Sequence, residues 1–91
     1  MQHLHSETIP ADRYNLRPRP RTTVQAIYAT VPNPYTHQPQ RVKIAFVYTS
    51  GLIDPVRLFY VQPLAPATQG WAVTRDQIRQ ISVFVTTEME A

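Results

Sequence analysis

The amino-acid sequence predicts an all-β protein: a small barrel of five strands, with one short helical turn before the last strand and an extended N-terminal arm. Two observations predict this class. Five runs rich in β-branched and aromatic residues follow one another from residue 22 onward, and segments that contain proline or glycine separate them. A hydrophobic content of 43% is enough for one compact core in a chain of 91 residues.

The first 21 residues are predicted to form the arm, and residues 22–91 a single β domain. The arm contains three prolines and few large apolar residues, without the periodicity of a helix or a strand. In the segment RPRPR, residues 17–21, the prolines fix their own φ and favour extended geometry in the arginines before them. We therefore expect the arm to be locally polyproline-like and exposed to solvent.

The five β-type runs differ in how their apolar residues are placed. In the second run the even-numbered residues from Val42 to Tyr48 are large and apolar, whereas Arg41 and Lys43 belong to the odd-numbered face. We expect the even-numbered face to pack inward. The third run is apolar on both faces, which is typical of a central strand. The runs cover residues 22–31, 41–49, 56–62, 70–74 and 81–87.

The segment 74–81 carries the one helical signal of the chain. Thr74 and Gln77 stand at the spacing of a capping box, and Ile78 and Ile81 follow three residues apart. A single helical or 3₁₀ turn is expected here, between the last two strands. Small SH3-like and Sm-like barrels close with a strand, a one-turn helix and a strand, and the predicted fold is therefore a barrel of this kind.

Residues 58–83 resemble the closing half of WYL-type domains, which are Sm-like barrels in bacterial regulators. The shared features are a strand that runs into a proline, a Gly-Trp strand start, and an arginine before an Ile-x-x-Ile turn. The signature tripeptide of that family aligns with Trp71, Ala72 and Val73, so its tyrosine is absent and its leucine is replaced. The resemblance implies a ligand or nucleic-acid site, and it makes Trp71 and Arg75 candidates.

Charge and cysteine content limit the classes of function. The net charge is +3, and the positive charge lies in the first half of the sequence because residues 51–91 carry one net negative charge. The chain has no cysteine, which excludes disulfides and thiolate metal sites. It shows no signal peptide and no apolar run long enough to span a bilayer, and a cytoplasmic location without membrane binding is expected.

The sequence contains no convincing catalytic or cofactor motif. His3 and His5 lie on the arm, where no rigid ligand geometry is expected, and the nearest carboxylate is Glu7 on the same arm. Ser50 is not within a nucleophile motif, and two glycines are too few for a phosphate-binding loop. We therefore expect a protein that is not an enzyme and has no metal site or cofactor.

Binding is the remaining class of function, with nucleic acid and another protein as about equal alternatives. Eight of the nine cations are arginine, which forms bidentate contacts to phosphate. One alternative is a small nucleic-acid-binding or regulatory protein. Another is a protein-interaction or assembly subunit that docks through a β edge or its arm, with a further copy of itself among the candidate partners. A third is a small-ligand sensor. The candidate binding residues are Arg13, Arg17, Arg19, Arg21, Arg41, Lys43, Trp71 and Arg75.

Overall fold

A computed structural model describes residues 2–14, 22–65 and 68–90 of the chain. The described residues form six β-strands and two 3₁₀ turns. The strands are β1 (Gln2–Pro10), β2 (Thr22–Pro32), β3 (Pro39–Ser50), β4 (Val56–Pro63), β5 (Trp71–Val73) and β6 (Arg79–Glu90). The 3₁₀ turns are Ala11–Arg13 and Arg75–Gln77.

The six strands form one antiparallel sheet in the order β1-β6-β2-β3-β4-β5, which confirms the all-β class. The sheet is not closed, and the five-stranded barrel is therefore not confirmed. The pairing gives the reason. One side of β6 pairs with β2 and the other side with β1, so the edge of β6 onto which β5 would close in a five-stranded barrel is occupied by β1.

The additional strand comes from the segment that the sequence places in the arm. Residues 2–10 are extended, and they pair along their whole length with β6, from Gln2 opposite Glu90 to Pro10 opposite Ser82. Alternation of apolar and polar residues does not reveal this strand, because polar side chains lie on both of its faces. The side-chain hydroxyls of Ser6 and Thr86 lie 3.1 Å apart across the pair. The Arg-Pro segment of residues 17–21 lies outside the described residues.

The five predicted strands and the predicted helical turn are all present. Each observed strand of the 22–91 segment begins and ends within a few residues of its predicted run. The turn Arg75–Gln77 is capped as its sequence predicts: the backbone N–H of Thr74 donates to the side-chain oxygen of Gln77 at 2.9 Å, and the Thr74 hydroxyl donates to the Asp76 carboxylate. This turn leads the chain from β5 back to β6.

A β-bulge overturns the expected alternation in β3. Ile44 pairs with Val61 but Phe46 pairs with Tyr60, so Ala45 is an extra residue in β3. Directly paired residues share a face, and neighbours along β4 lie on opposite faces. Phe46 therefore lies on the face opposite Ile44, and only the first half of the even-numbered face packs inward as predicted. We call the face of Ile44 and Val61 the concave face and the face of Phe46 and Tyr60 the outer face.

The core lies on the concave face of the middle strands. Val31, Val42 and Val61 are essentially without exposed surface, and they meet in the sheet centre across β2, β3 and β4. Trp71 on β5 and Ile78, directly after the second 3₁₀ turn, belong to the same buried cluster. Partly buried hydrophobic residues extend this cluster toward the ends of the strands. The buried cluster consists of Ala29, Val31, Val42, Val61, Trp71, Val73 and Ile78.

The connection between β2 and β3 is organised by one buried side chain. Pairing continues to Pro32 opposite Pro39, which leaves residues 33–38 as the loop. The side-chain oxygen of Asn33 accepts the backbone N–H groups of Tyr35 and Thr36 at 2.7 and 3.2 Å, and its amide donates to Gln40 at 2.7 Å. Because Asn33 satisfies these groups internally, a proline-rich loop still closes a hairpin.

Candidate functional site

The distal half of the β3–β4 hairpin projects from the sheet as a two-stranded ribbon. Strand β2 pairs with β3 only as far as Lys43, and β5 pairs with β4 only from Phe59 onward. Beyond these points the two strands pair only with each other, up to Ser50 opposite Val56. We call residues 46–58 the projecting hairpin. The chain measures 50 × 31 × 23 Å, an elongated shape for its size.

The outer face of the projecting hairpin carries aromatic rings. Phe46 stacks on Tyr60, with ring centroids 4.9 Å apart and an angle of 9° between the planes. Tyr48 lies next along the same face, with its centroid 5.7 Å from that of Phe46. Phe46 is 54% exposed despite this stacking. The rings therefore form a rigid apolar surface that still faces solvent.

The tip of the projecting hairpin is apolar and fully exposed. Leu52 and Ile53 are 103% and 99% exposed. Gly51 begins the turn with a φ of +99°, which only glycine adopts readily, and Asp54 and Pro55 end it. Of the eleven large hydrophobic residues that are exposed in the described part of the chain, six lie between Phe46 and Val56. Such a concentration is typical of an interaction surface.

The concave face holds an open apolar pocket of about 270 Å³ beside the core. Ile78 forms its floor together with half-buried side chains from the middle strands. Arg75, at the start of the second 3₁₀ turn, is exposed and supplies its charged rim. The pocket is lined by Ile27, Ile44, Phe59, Arg75, Ile78 and Ile81. It exists because the sheet is open, so no further strand covers this part of the concave face.

The predicted cations do not form one continuous basic surface in the described residues. Lys43 is exposed on the outer face of β3 and Arg13 is exposed in the first 3₁₀ turn, while Arg75 belongs to the concave side. Arg79 was not among the predicted residues. It is the β6 partner of Thr30, whose partner on β3 is Arg41. The predicted Arg17, Arg19 and Arg21 lie outside the described residues.

Arg41 is held by hydrogen bonds within the sheet. Its guanidinium donates to the Thr30 hydroxyl at 3.2 Å and also to the backbone carbonyl of Gln80 and the hydroxyl of Ser82. These contacts join β3, β2 and β6. Arg41 also lines an open cleft of about 700 Å³ between the first 3₁₀ turn and β6, and Asp12 lines the same cleft. The interactions of Arg41 are those of a structural residue.

Trp71, which the sequence names as a candidate binding residue, lies in the core. It is 7% exposed, so its ring has no free face on which a base could stack. Its indole N–H has no hydrogen-bond partner among the described residues. The aromatic side chains that do offer free surface are Phe46 and Tyr48, in the projecting hairpin.

Metal-ligand clusters and membrane-spanning helices are both absent from the described residues. In residues 2–14, 22–65 and 68–90, no three His, Cys, Asp or Glu side chains come together as metal ligands. His5 and Glu7 approach to 4.0 Å on β1. The described helical segments include none that is long and apolar enough to cross a bilayer.

Sequence reasoning missed the hairpin tip, although a signal was present. Leu52 and Ile53 stand side by side in a turn that begins at Gly51 and ends at Pro55. Two large aliphatic residues in such a turn cannot both reach the core, because the chain reverses direction there. An apolar pair within a turn therefore predicts an exposed contact surface.

Comparison with known proteins assigns the chain to no family and gives no function for this site. No protein-family model matches the chain, and neither the curated proteins nor the solved structures give a significant match. The resemblance of residues 58–83 to WYL-type domains therefore stays a prediction.

Proposed function

We propose that this chain is a non-catalytic interaction module that docks a protein chain through its projecting hairpin. The single observation that carries the proposal is the full exposure of Leu52 and Ile53 at the end of a ribbon whose two strands, in the described part of the chain, pair only with each other. Burying a Leu or Ile side chain stabilises a complex by about 1.5–3 kcal/mol each. The tip therefore offers a partner several kcal/mol of apolar contact.

The stability and composition of the projecting hairpin indicate a docking surface for a partner and not an element that stabilises the fold. A two-stranded hairpin is marginally stable in water when nothing packs against it. Asp54 and Arg57 are its only charged residues. The centres of protein interfaces contain few charged residues and many aromatic ones. The projecting hairpin has the same composition, with the Phe46–Tyr60 stack on its outer face and an uncharged apolar pair at its tip.

The strand order supports the barrel-type architecture that the sequence predicted, in an opened form. Without β1, the order of the remaining strands is β6-β2-β3-β4-β5, with the 3₁₀ turn between β5 and β6. This is the connectivity expected for an SH3-like barrel, and β1 extends it at the β6 edge. Domains of this kind serve as binding modules, although fold alone does not define the ligand.

Nucleic-acid binding is the second candidate, supported by the placement of Lys43 and Arg79 on the outer side of the sheet near Arg41. The hydrogen bonds of Arg41 and the nearby Asp12 weaken this support. If this candidate holds, affinity for a random oligonucleotide falls steeply between about 50 and 200 mM salt, and Lys43→Ala reduces that slope. A slope that Lys43→Ala leaves unchanged argues against this surface.

Photo-crosslinking in cells that express the chain tests the docking proposal. A photoreactive phenylalanine analogue replaces Leu52 at the tip; the matched control carries it at Tyr35, an exposed aromatic position in the β2–β3 loop. We expect light-dependent protein adducts of defined mass from position 52 and none from position 35. Ile53→Asp in the same chain should remove them.

Two results would overturn the docking proposal. One is the absence of adducts at position 52, and the other is equal labelling from positions 52 and 35. Adducts at position 52 that nuclease digestion removes would instead favour nucleic acid as the partner.

A further inference from the structure

We infer that the occupant of the projecting hairpin is a second copy of this chain, whose concave pocket receives Leu52 and Ile53 while its Arg75 pairs with Asp54. This inference rests on the proposed function, because it names the partner of the same hairpin. The structure displays both halves of the contact on one molecule: an apolar knob at the tip and an apolar pocket on the concave face.

The size of the pocket fits the tip. Its volume is about 270 Å³. An apolar cavity of about 150 Å³ is already enough to bind benzene. The aliphatic side chains of Leu52 and Ile53 are of that order, and the walls of Ile27, Ile44 and Phe59 match their chemistry. The pocket is open to solvent on one side, so a tip has a route of entry.

The charges beside the two surfaces are complementary. The tip carries one acid, Asp54, directly after Ile53, and the pocket carries one base, Arg75, at its rim. Both residues are exposed, and within the described part of the chain neither lies in an ion pair. A tip seated in the pocket would bring these two charges together, and opposite charges at an interface set its orientation.

The tip cannot reach the pocket of its own chain. Ile44 lines the pocket, and Ser50 ends the same strand six residues later. At a rise of about 3.3 Å per residue, Ser50 lies about 20 Å along the ribbon from Ile44 and about 10 Å from Val47, the partner of Phe59, which is the lining residue nearest the tip. The contact is therefore intermolecular. Because the tip and the pocket are different surfaces, two copies either exchange tips about a two-fold axis, which is an isologous pair, or join head to tail in a heterologous series.

Charge reversal tests this contact without disturbing the core. Sedimentation velocity is measured for the wild type over a range from about 1 μM to 1 mM, together with Asp54→Arg and Arg75→Glu. We expect the wild type to associate with rising concentration, and each reversal alone to weaken association by about tenfold or more, because like charges then meet. Asp12→Arg and Lys43→Glu are the matched controls, since both positions are exposed and lie outside the tip and the pocket.

Mixing the two variants gives the decisive result. In the mixture, the basic tip of the Asp54→Arg variant meets the acidic pocket rim of the Arg75→Glu variant, so the two reversed charges pair. The unaltered tip of the second variant likewise meets the unaltered pocket of the first. The equimolar mixture should therefore recover wild-type association. A mixture that stays dissociated overturns the contact, as does a wild type that remains monomeric throughout. Association that Asp54→Arg leaves intact also overturns it and would point to pairing at the free edge of β1 instead.

The photo-crosslinked product separates this inference from the function on which it rests. Adducts from position 52 whose partner peptides come from the pocket of this same sequence support both. Partner peptides from a different protein overturn the self-contact and leave docking through the hairpin in place. Absence of adducts overturns both.

Discussion

Strands β3 and β4 run through two regions of opposite character. Near the sheet centre, Val42 and Val61 are completely buried. Toward the hairpin end, Phe46 and Val56 in the same two strands are about half exposed. Both regions are rich in β-branched and aromatic residues, so the composition of the strands does not explain the difference. The neighbours do: β2 and β5 flank only the central region, and among the described residues no other strand pairs with the hairpin end.

The comparison shows that β-forming residues specify a strand but do not determine whether it is buried. Burial requires other side chains packed against the strand, and Trp71 and Ile78 supply them for the central region. The projecting hairpin keeps an apolar surface that no described part of the chain covers. This difference in burial is the reason to place a docking surface on the projecting hairpin.

The largest expected effect compares a truncation in each region. Trp71→Ala leaves a cavity in the core and should lower the free energy of unfolding by about 3–5 kcal/mol, whereas Leu52→Ala should change it by less than about 0.5 kcal/mol. Urea denaturation of dilute protein measures both. Trp71→Phe keeps most of the packing and removes the unpartnered N–H, so it should cost much less than Trp71→Ala. Equal costs for Trp71→Ala and Leu52→Ala would erase the distinction between the regions.

The two glycines of the chain give the next effect, one in each region. A Cβ at Gly70 would collide with the carbonyl oxygen of Val61 and the ring of Tyr60, so Gly70→Ala should destabilise the whole fold by about 3 kcal/mol. Gly51→Ala combines a positive φ with a collision at the Asp54 carbonyl. We expect its effect to be local: hydrogen exchange accelerates in the projecting hairpin and stays slow at Val42 and Val61. Global loss of protection in Gly51→Ala would contradict this.

A smaller effect distinguishes the two cations that follow one another on β3. Arg41→Ala removes three hydrogen bonds and leaves the buried Ser82 hydroxyl without that donor, which should cost roughly 1–2 kcal/mol. Lys43→Ala, two residues along and exposed, should be close to neutral. Thermal denaturation of the pair measures the difference. Equal stability of the two variants would show that Arg41 is not structural.

The smallest effect concerns pH and the 3₁₀ turn Arg75–Gln77, which leads into the buried Ile78. The hydroxyl of Thr74, followed by a backbone hydrogen bond and the positive charge of Arg79, holds the pKa of Asp76 below its ordinary value of 3.8. Its carboxylate therefore stabilises the fold above the ordinary pKa, and this contribution is lost as the pH falls through the folded-state value. Asp76→Asn should be slightly less stable than wild type at pH 7 and equal to it at strongly acidic pH, as urea denaturation at the two pH values would show. A difference that persists in acid would exclude this linkage.

Much of the fold could be predicted from the sequence because its signals are local. The runs of β-branched residues place β2 to β6, and Thr74 with Gln77 places the 3₁₀ turn. Strand β1 could not be predicted, because its pairing with β6 depends on contacts about 80 residues away along the chain, such as Ser6 with Thr86. The openness of the sheet follows from that same pairing.

The candidate site could be predicted from the sequence less well than the fold, for two physical reasons. The bulge at Ala45 is set by how β3 and β4 align, and it moves Phe46 and Tyr48 from the expected inner face to the outer face. Arginine also looks the same in sequence whether it faces a partner or, like Arg41, ties strands together. Only the turn signal around Leu52 and Ile53 was present to be found.

The bulge has one further consequence, for how such a protein changes over time. A strand lacking Ala45 would pair in plain register, with Phe46 still on the side of Tyr60 and Val47 still on that of Phe59. What the ribbon displays would be preserved, whereas its bend and twist would relax. Gain or loss of one small residue can thus re-aim the hairpin independently of its contact chemistry, so orientation and recognition are free to evolve separately.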